Sequence, residues 1–121
     1  MHVEDIHWLS KSAEEAEVII SDGSFRCEAY SQPCNASVGE TLRQPLHVFG
    51  IRNAMLKEGG ALGFWKIDAV GLAQRVVAKV TNFREGLLSV GGIDLIADDP
   101  LPGGIQDGDF IEIECARVDM W

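Results

Sequence analysis

The sequence predicts an all-β domain: a small, partly closed antiparallel barrel, with one short helix as the only other element. A sandwich is the alternative. Three observations lead there. Runs of alternating apolar and polar residues recur at the spacing of about 8–12 residues typical of small barrels and sandwiches. Residues that interrupt ladders, 13 glycines and 4 prolines, fall between those runs. At 121 residues and 46% hydrophobic, the chain can build one core, and no linker divides it.

The first segment, residues 1–14, is open between a strand and a turn of helix, with Ile6, Trp8 and Leu9 as its apolar anchors, and is expected to be the least ordered. Val18-Ile19-Ile20-Ser21 is rich in β-branched residues. Asp22-Gly23 follows and reads as a two-residue type I′ turn. A hairpin is therefore predicted over 15–21 and 24–31. Its second strand places Phe25, Cys27 and Ala29 on one face and Arg26, Glu28 and Tyr30 on the other. Residues 32–40 form a loop, because Pro33, Asn35, Ser37 and Gly39 interrupt any ladder. Pro45 opens a short strand, Leu46-His47-Val48-Phe49. Arg52 to Glu58 predicts about two turns of helix, capped by Gly59.

From Ala61 onward the chain reads as strands and turns. Phe64 to Ala69 is one strand, and residues 74–81 are the next. Gly91-Gly92 separates Leu87-Leu88-Ser89-Val90 from Ile93-Asp94-Leu95-Ile96 as a bulge or tight hairpin. Residues 98–109 are rich in breakers. The last strand begins at Phe110 and buries Ile111, Ile113 and Cys115. Val118 and Met120 lie on the opposite parity, so a bulge near Ala116 or Arg117 is needed to return them to the core.

The strand at 75–81, the turn Asn82-Phe83-Arg84-Glu85-Gly86, the strand at 87–90 and the ending Gly108-Asp109-Phe110-Ile111-Glu112-Ile113-Glu114 together carry a resemblance. Over roughly its second half, the chain resembles small OB-like bacterial β-barrel proteins of uncharacterised function. Folds of that kind often bind oligonucleotides or oligosaccharides. The resemblance implies a binding barrel and no particular chemistry.

Composition excludes more than it identifies. Ten Lys and Arg stand against 19 Asp and Glu, a net charge of −9. That balance opposes the electrostatic footprint of a generic nucleic-acid binder. No apolar run reaches the ~18 residues of a membrane span. The start, Met1-His2-Val3-Glu4-Asp5, lacks the basic residues of a signal peptide. Three cysteines without an export signal point to a reducing, cytoplasmic setting.

Candidate chemistry is sparse, and no cofactor is expected. Cys27, Cys34, His47 and Cys115 are the only set that invites a metal, and their spacing matches no zinc signature. Cys27 and Cys115 read as small buried hydrophobes. Cys34, in a loop after Pro33, is the thiol to react if any of the three does, with His47 as the base that would complete a small thiol enzyme. No nucleophile elbow, HExxH or Walker loop is present. Asp107-Gly108-Asp109 reads as a solvated turn, since the EF-hand pattern is missing.

The remaining constellation is basic and aromatic: Trp65, Lys66, Arg75, Lys79 and Arg84, with Phe64 and Phe83 nearby. Stacking beside positive charge is how single strands are held. The reading adopted is a non-enzymatic binding or interaction barrel that meets a protein partner or a second copy, with Trp121 and exposed strand edges as points of contact. An OB-like binder of single-stranded nucleic acid or oligosaccharide through the five basic and aromatic residues is the alternative, and a thiol or metal enzyme the second alternative.

Overall fold

A computed structural model describes residues 1–121. It contains eleven strands and no helix. They are β1 (His2–Ser10), β2 (Glu15–Ser21), β3 (Arg26–Ser31), β4 (Leu46–Phe49), β5 (Arg52–Leu56), β6 (Gly63–Lys66), β7 (Gln74–Asn82), β8 (Leu87–Val90), β9 (Ile93–Ala97), β10 (Phe110–Cys115) and β11 (Arg117–Asp119). All belong to one sheet, in the order β1-β2-β3-β11-β4-β9-β8-β7-β10-β5, with β6 also on β7. The hydrogen-bonded path is not closed; β1 and β5 are its two ends. Yet β10 and β11 lie on opposite sides of the stretch β4-β9-β8-β7, and only Ala116 separates them in the chain. That stretch must therefore curl until its two sides meet, which makes a partly closed barrel.

Two bends in the chain allow the curl, and they face each other. β4 pairs antiparallel with β11, and β5 with β10. Between β4 and β5 the chain turns at Gly50; between β10 and β11 it turns at Ala116. The Ala116 amide donates to both Phe49 O at 3.0 Å and Gly50 O at 3.1 Å. Gly50 has φ +70°, and a Cβ there would lie 2.6 Å from the Cβ of Ala116. Glycine is required at this position for its conformation and for its lack of bulk. The bend at Ala116 is the predicted one, and it returns Val118 to the core at 1% exposure.

Alternation fixes the interior. Ala16, Val18 and Ile20 from β2, Cys27 and Ala29 from β3, and Leu46 and Val48 from β4 face inward. Val76, Ala78 and Val80 from β7 meet them, with Leu88, Val90, Ile93, Leu95, Ile111 and Ile113. Each fully buried Ile or Leu contributes on the order of 1.5–3 kcal/mol relative to exposure. No buried side-chain polar atom lacks a hydrogen-bond partner.

The predicted hairpin at 15–31 forms, with a different turn. Ser21 pairs with Arg26, so four residues and not two make the connection. Asp22 is not in a left-handed conformation, as a type I′ turn would require. Its side chain supplies the turn bonds instead: Oδ1 accepts from the Ser24 and Phe25 amides at 2.8 and 2.7 Å, and Oδ2 from Gly92 N at 2.6 Å. The β2–β3 turn is thereby fastened to the two-residue Gly91-Gly92 hairpin, where Val90 pairs with Ile93. A Cβ on Gly91 would meet Phe25 at 2.6 Å.

Three other expectations change. The helix expected from Arg52 is the strand β5. Asn53 there has φ +54°, which no right-handed helix contains, and the register shift against β10 marks a bulge. Helix propensity is a weak preference, and pairing with β10 overrides it. The strand expected over Phe64 to Ala69 ends at Lys66. The first segment, left open between strand and helix, is β1, bulged twice against β2.

Candidate functional site

The outer face of β3-β11-β4 gathers a connected set of partly exposed aromatic and charged groups. Strand alternation puts them there. Leu46 and Val48 are buried, so His47 and Phe49 point outward. Val118 is buried, so Arg117 and Asp119 point outward. Ala29 and Ser31 are buried, so Tyr30 does too. The register sets Asp119 beside both Tyr30 and His47, and Arg117 beside Phe49.

The contacts are specific. Arg117 grips Asp119 with Nε at 2.6 Å from Oδ1 and Nη2 at 3.0 Å from Oδ2. Its guanidinium lies 4.5 Å from the Tyr30 ring centroid and 5.7 Å from that of Phe49, between the two aromatics. Hydrogen bonding to Asp119 raises the Arg117 pKa further. The Tyr30 hydroxyl donates to Glu15 Oε2 at 2.7 Å, and that bond raises the tyrosine pKa. His47 Nδ1 is 2.8 Å from Asp98 Oδ1. An ionised carboxylate only accepts, so Nδ1 carries the proton. The imidazole stacks on the Trp121 indole, centroids 3.5 Å apart and planes 12° from parallel. Trp121 is nevertheless 82% exposed. The β11 chain is also tied to β3 by Met120 N donating to Tyr30 O at 2.8 Å.

Three clefts surround Met120 and Trp121, which wall each of them. The largest, about 440 Å³, runs between Thr41, Leu42, Arg43, Leu46 and the His47–Trp121 stack. One of about 300 Å³ exposes Tyr30, Arg117 and Asp119. One of about 290 Å³ lies against Pro33, Asn35 and Leu42. His47 is oriented by a carboxylate as a base would be, but no hydroxyl or thiol bonds to it as a nucleophile would.

The other predicted residues are distributed as follows. Trp65 and Arg75 are brought together: they are register partners, with the guanidinium 4.6 Å from the indole centroid. Arg75 is also bonded to Glu112 at 3.0 Å, and Lys57 reaches the same carboxylate at 3.6 Å. Lys66 leaves on the other face of β6 and pairs with Glu28 at 3.3 Å. Lys79 and Arg84 are exposed and paired with no carboxylate, Arg84 in the turn before β8. The five do not form one site. Neither do Cys27, Cys34, His47 and Cys115, since no three His, Cys, Asp or Glu side chains converge as metal ligands.

Cys34 is buried although it lies in a loop. The residue is 5% exposed and packs in the core, and its amide is fixed to Glu14 O at 2.7 Å. Burial pushes the Cys27 thiol well above its ordinary pKa and that of Cys115 up to about 11. All three thiols are therefore expected to resist an aromatic disulfide reagent at pH 8, reacting only as the fold opens. A thiol that reacts within seconds in the native protein contradicts this.

Sequence reasoning singled out His47 and Trp121 but missed Tyr30, Phe49, Asp98, Arg117 and Asp119. A signal existed for some of them: once Leu46, Val48 and Val118 are assigned inward, their neighbours must face out. Compared with protein-family models, characterised proteins and solved structures, the chain matches none. No helix is long and apolar enough to cross a membrane.

Proposed function

We propose that the chain is a non-enzymatic interaction module, and that it contacts a second copy of itself through the outer face of β3-β11-β4. The observation that carries this reading is Trp121: a large indole, 82% exposed, held in one orientation by a stack on His47. Preordered tryptophan, tyrosine and arginine are the side chains that dominate protein contacts. Phe49, 49% exposed, and Tyr30 extend the patch.

Charge supports a second copy as the occupant. A chain of net −9 repels its own kind. On this face, however, Arg117 balances Asp119, and His47 sits against Asp98. Here two copies can approach without opposing rows of unpaired carboxylates. The free strand edges serve less well. β5 and β1 are both bulged, and β5 carries Arg52 beside its bulge, devices that discourage edge pairing.

Light scattering tests the reading. The chain is expected to dimerise, and Trp121→Ala to weaken the dimer about 30-fold or more, the equivalent of a 2 kcal/mol anchor. A strict monomer at about 500 µM, which bounds association to weaker than roughly −4.5 kcal/mol, overturns it. So does a Trp121→Ala dimer as tight as the parent.

A further inference from the structure

We infer that His47 makes this face pH-sensitive: its protonation fixes Trp121 in place and tightens the contact. The optical part of the inference stands alone; the association part rests on the self-contact reading above.

The geometry supplies the coupling. The imidazole carries the indole on one ring face and the Asp98 carboxylate at its Nδ1 edge, with side-chain exposures of 20% for His47 and 28% for Asp98. A neutral ring gives a stack and one hydrogen bond. An imidazolium gives a cation on the negative face of the indole and an ion pair at 2.8 Å. Both changes hold the indole more firmly. Histidine is the side chain that changes charge between pH 5 and 8.

The other charges nearby do not oppose this. β4 itself contributes no acid or base besides His47. From β11, Asp119 lies beside His47 in register, and Arg117 balances it. At the far end of β9, Asp98 takes the ring N–H, while Asp99 is occupied by the Ile51 amide at 2.9 Å. Before β4, Arg43 lines the same cleft but is exposed to solvent.

The test uses the full chain with Trp8→Phe and Trp65→Phe, leaving Trp121 as the reporter. At about 1 µM the protein is diluted well below the dissociation constant of a moderate dimer. Between pH 8 and pH 5, the ratio of freely rotating to fixed Trp121, read from the fast local component of its time-resolved anisotropy, is expected to fall on the order of threefold, the population shift that an exposed cation–π contact supplies. His47→Gln is expected to abolish the change. Should the double substitution not fold, the parent-minus-His47→Gln difference reads the same transition. At high concentration, the parent is expected to gain about threefold more in association between pH 8 and pH 5.5 than His47→Gln does, since the fall in net charge acts on both. Local motion of Trp121 that ignores pH, or follows it equally in His47→Gln, overturns the fixing of Trp121 by His47. An optical transition in a chain that stays monomeric overturns the self-contact alone and leaves the fixing of Trp121 by His47 standing.

Discussion

Gly50→Ala is expected to destabilise the fold by about 2–4 kcal/mol, combining backbone strain with overpacking. The added methyl would sit 2.6 Å from the Ala116 Cβ, on a backbone at φ +70°. Neither bend can yield alone, because the Ala116 amide is bonded to both Phe49 O and Gly50 O. Thermal unfolding should show a midpoint lower by roughly 10 °C for a chain of this size. A designed partner separates the two causes. Ala116→Gly in the same chain removes the overlap and leaves the strained φ, so it is expected to restore part of the loss. A Gly50→Ala midpoint within about 0.5 kcal/mol of the parent, the range of an ordinary surface change, would show that the paired bends are soft.

Asp22→Ala is expected to cost about 3 kcal/mol, since three backbone amides lose a charged acceptor at once and such bonds are individually worth roughly 1.5–3 kcal/mol. Two turns are then released together, because Asp22 joins the β2–β3 connection to the Gly91-Gly92 hairpin. The same carboxylate gives stability a pH dependence. Desolvation pushes its pKa up, but the amide bonds from Phe25, Gly92 and Ser24 outweigh that, and the net shift is below the ordinary 3.8. A folded-state pKa that is depressed adds stability above the unfolded value, and the gain is lost as pH falls through the folded value. Chemical unfolding at pH 7 and at pH 2–3 should therefore show a smaller gap between parent and Asp22→Ala in acid. An equal gap at both would mean the charge contributes nothing.

Most of the fold was legible where a strand faces water on one side and the core on the other. Ile111, Ile113 and Cys115 announce an inward face, and the change of parity at Val118 announces the bend at Ala116. β5 was not legible, because Arg52, Ala54, Met55, Leu56 and Lys57 favour helix locally. It is a strand only because β10 offers an edge, and that edge is more than fifty residues away in sequence. The Asp22 turn was read by its backbone type, whereas a side chain does the work of the second left-handed residue.

The candidate site was legible only in fragments. His47 reads as a half-buried strand histidine, and so it is. Its partner Asp98 stands 51 positions further on, and no periodicity links the two. The basic and aromatic set is divided between two faces, a point that period two already contained. Trp65 and Lys66 are consecutive in a strand and so leave on opposite faces. Charge counting also missed that Arg75 is held by Glu112.

The meeting of β10 and β11 around the barrel has a consequence for the order of assembly. β1-β2-β3 and β7-β8-β9 are joined by short turns and need only neighbouring residues. The β4–β9 and β4–β11 pairings join residues about fifty and seventy positions apart. Loop-closure entropy must be overcome before those pairings yield any gain. Local hairpins are thus expected to form in the earliest phase of refolding. The step that joins Phe49 and Gly50 to Ala116 is expected to come last and to set the pace, in the millisecond-to-second range of β-rich domains. Until then Leu46, Val48 and Val118 remain wet, and the population of that half-built state governs how readily the chain aggregates while it folds.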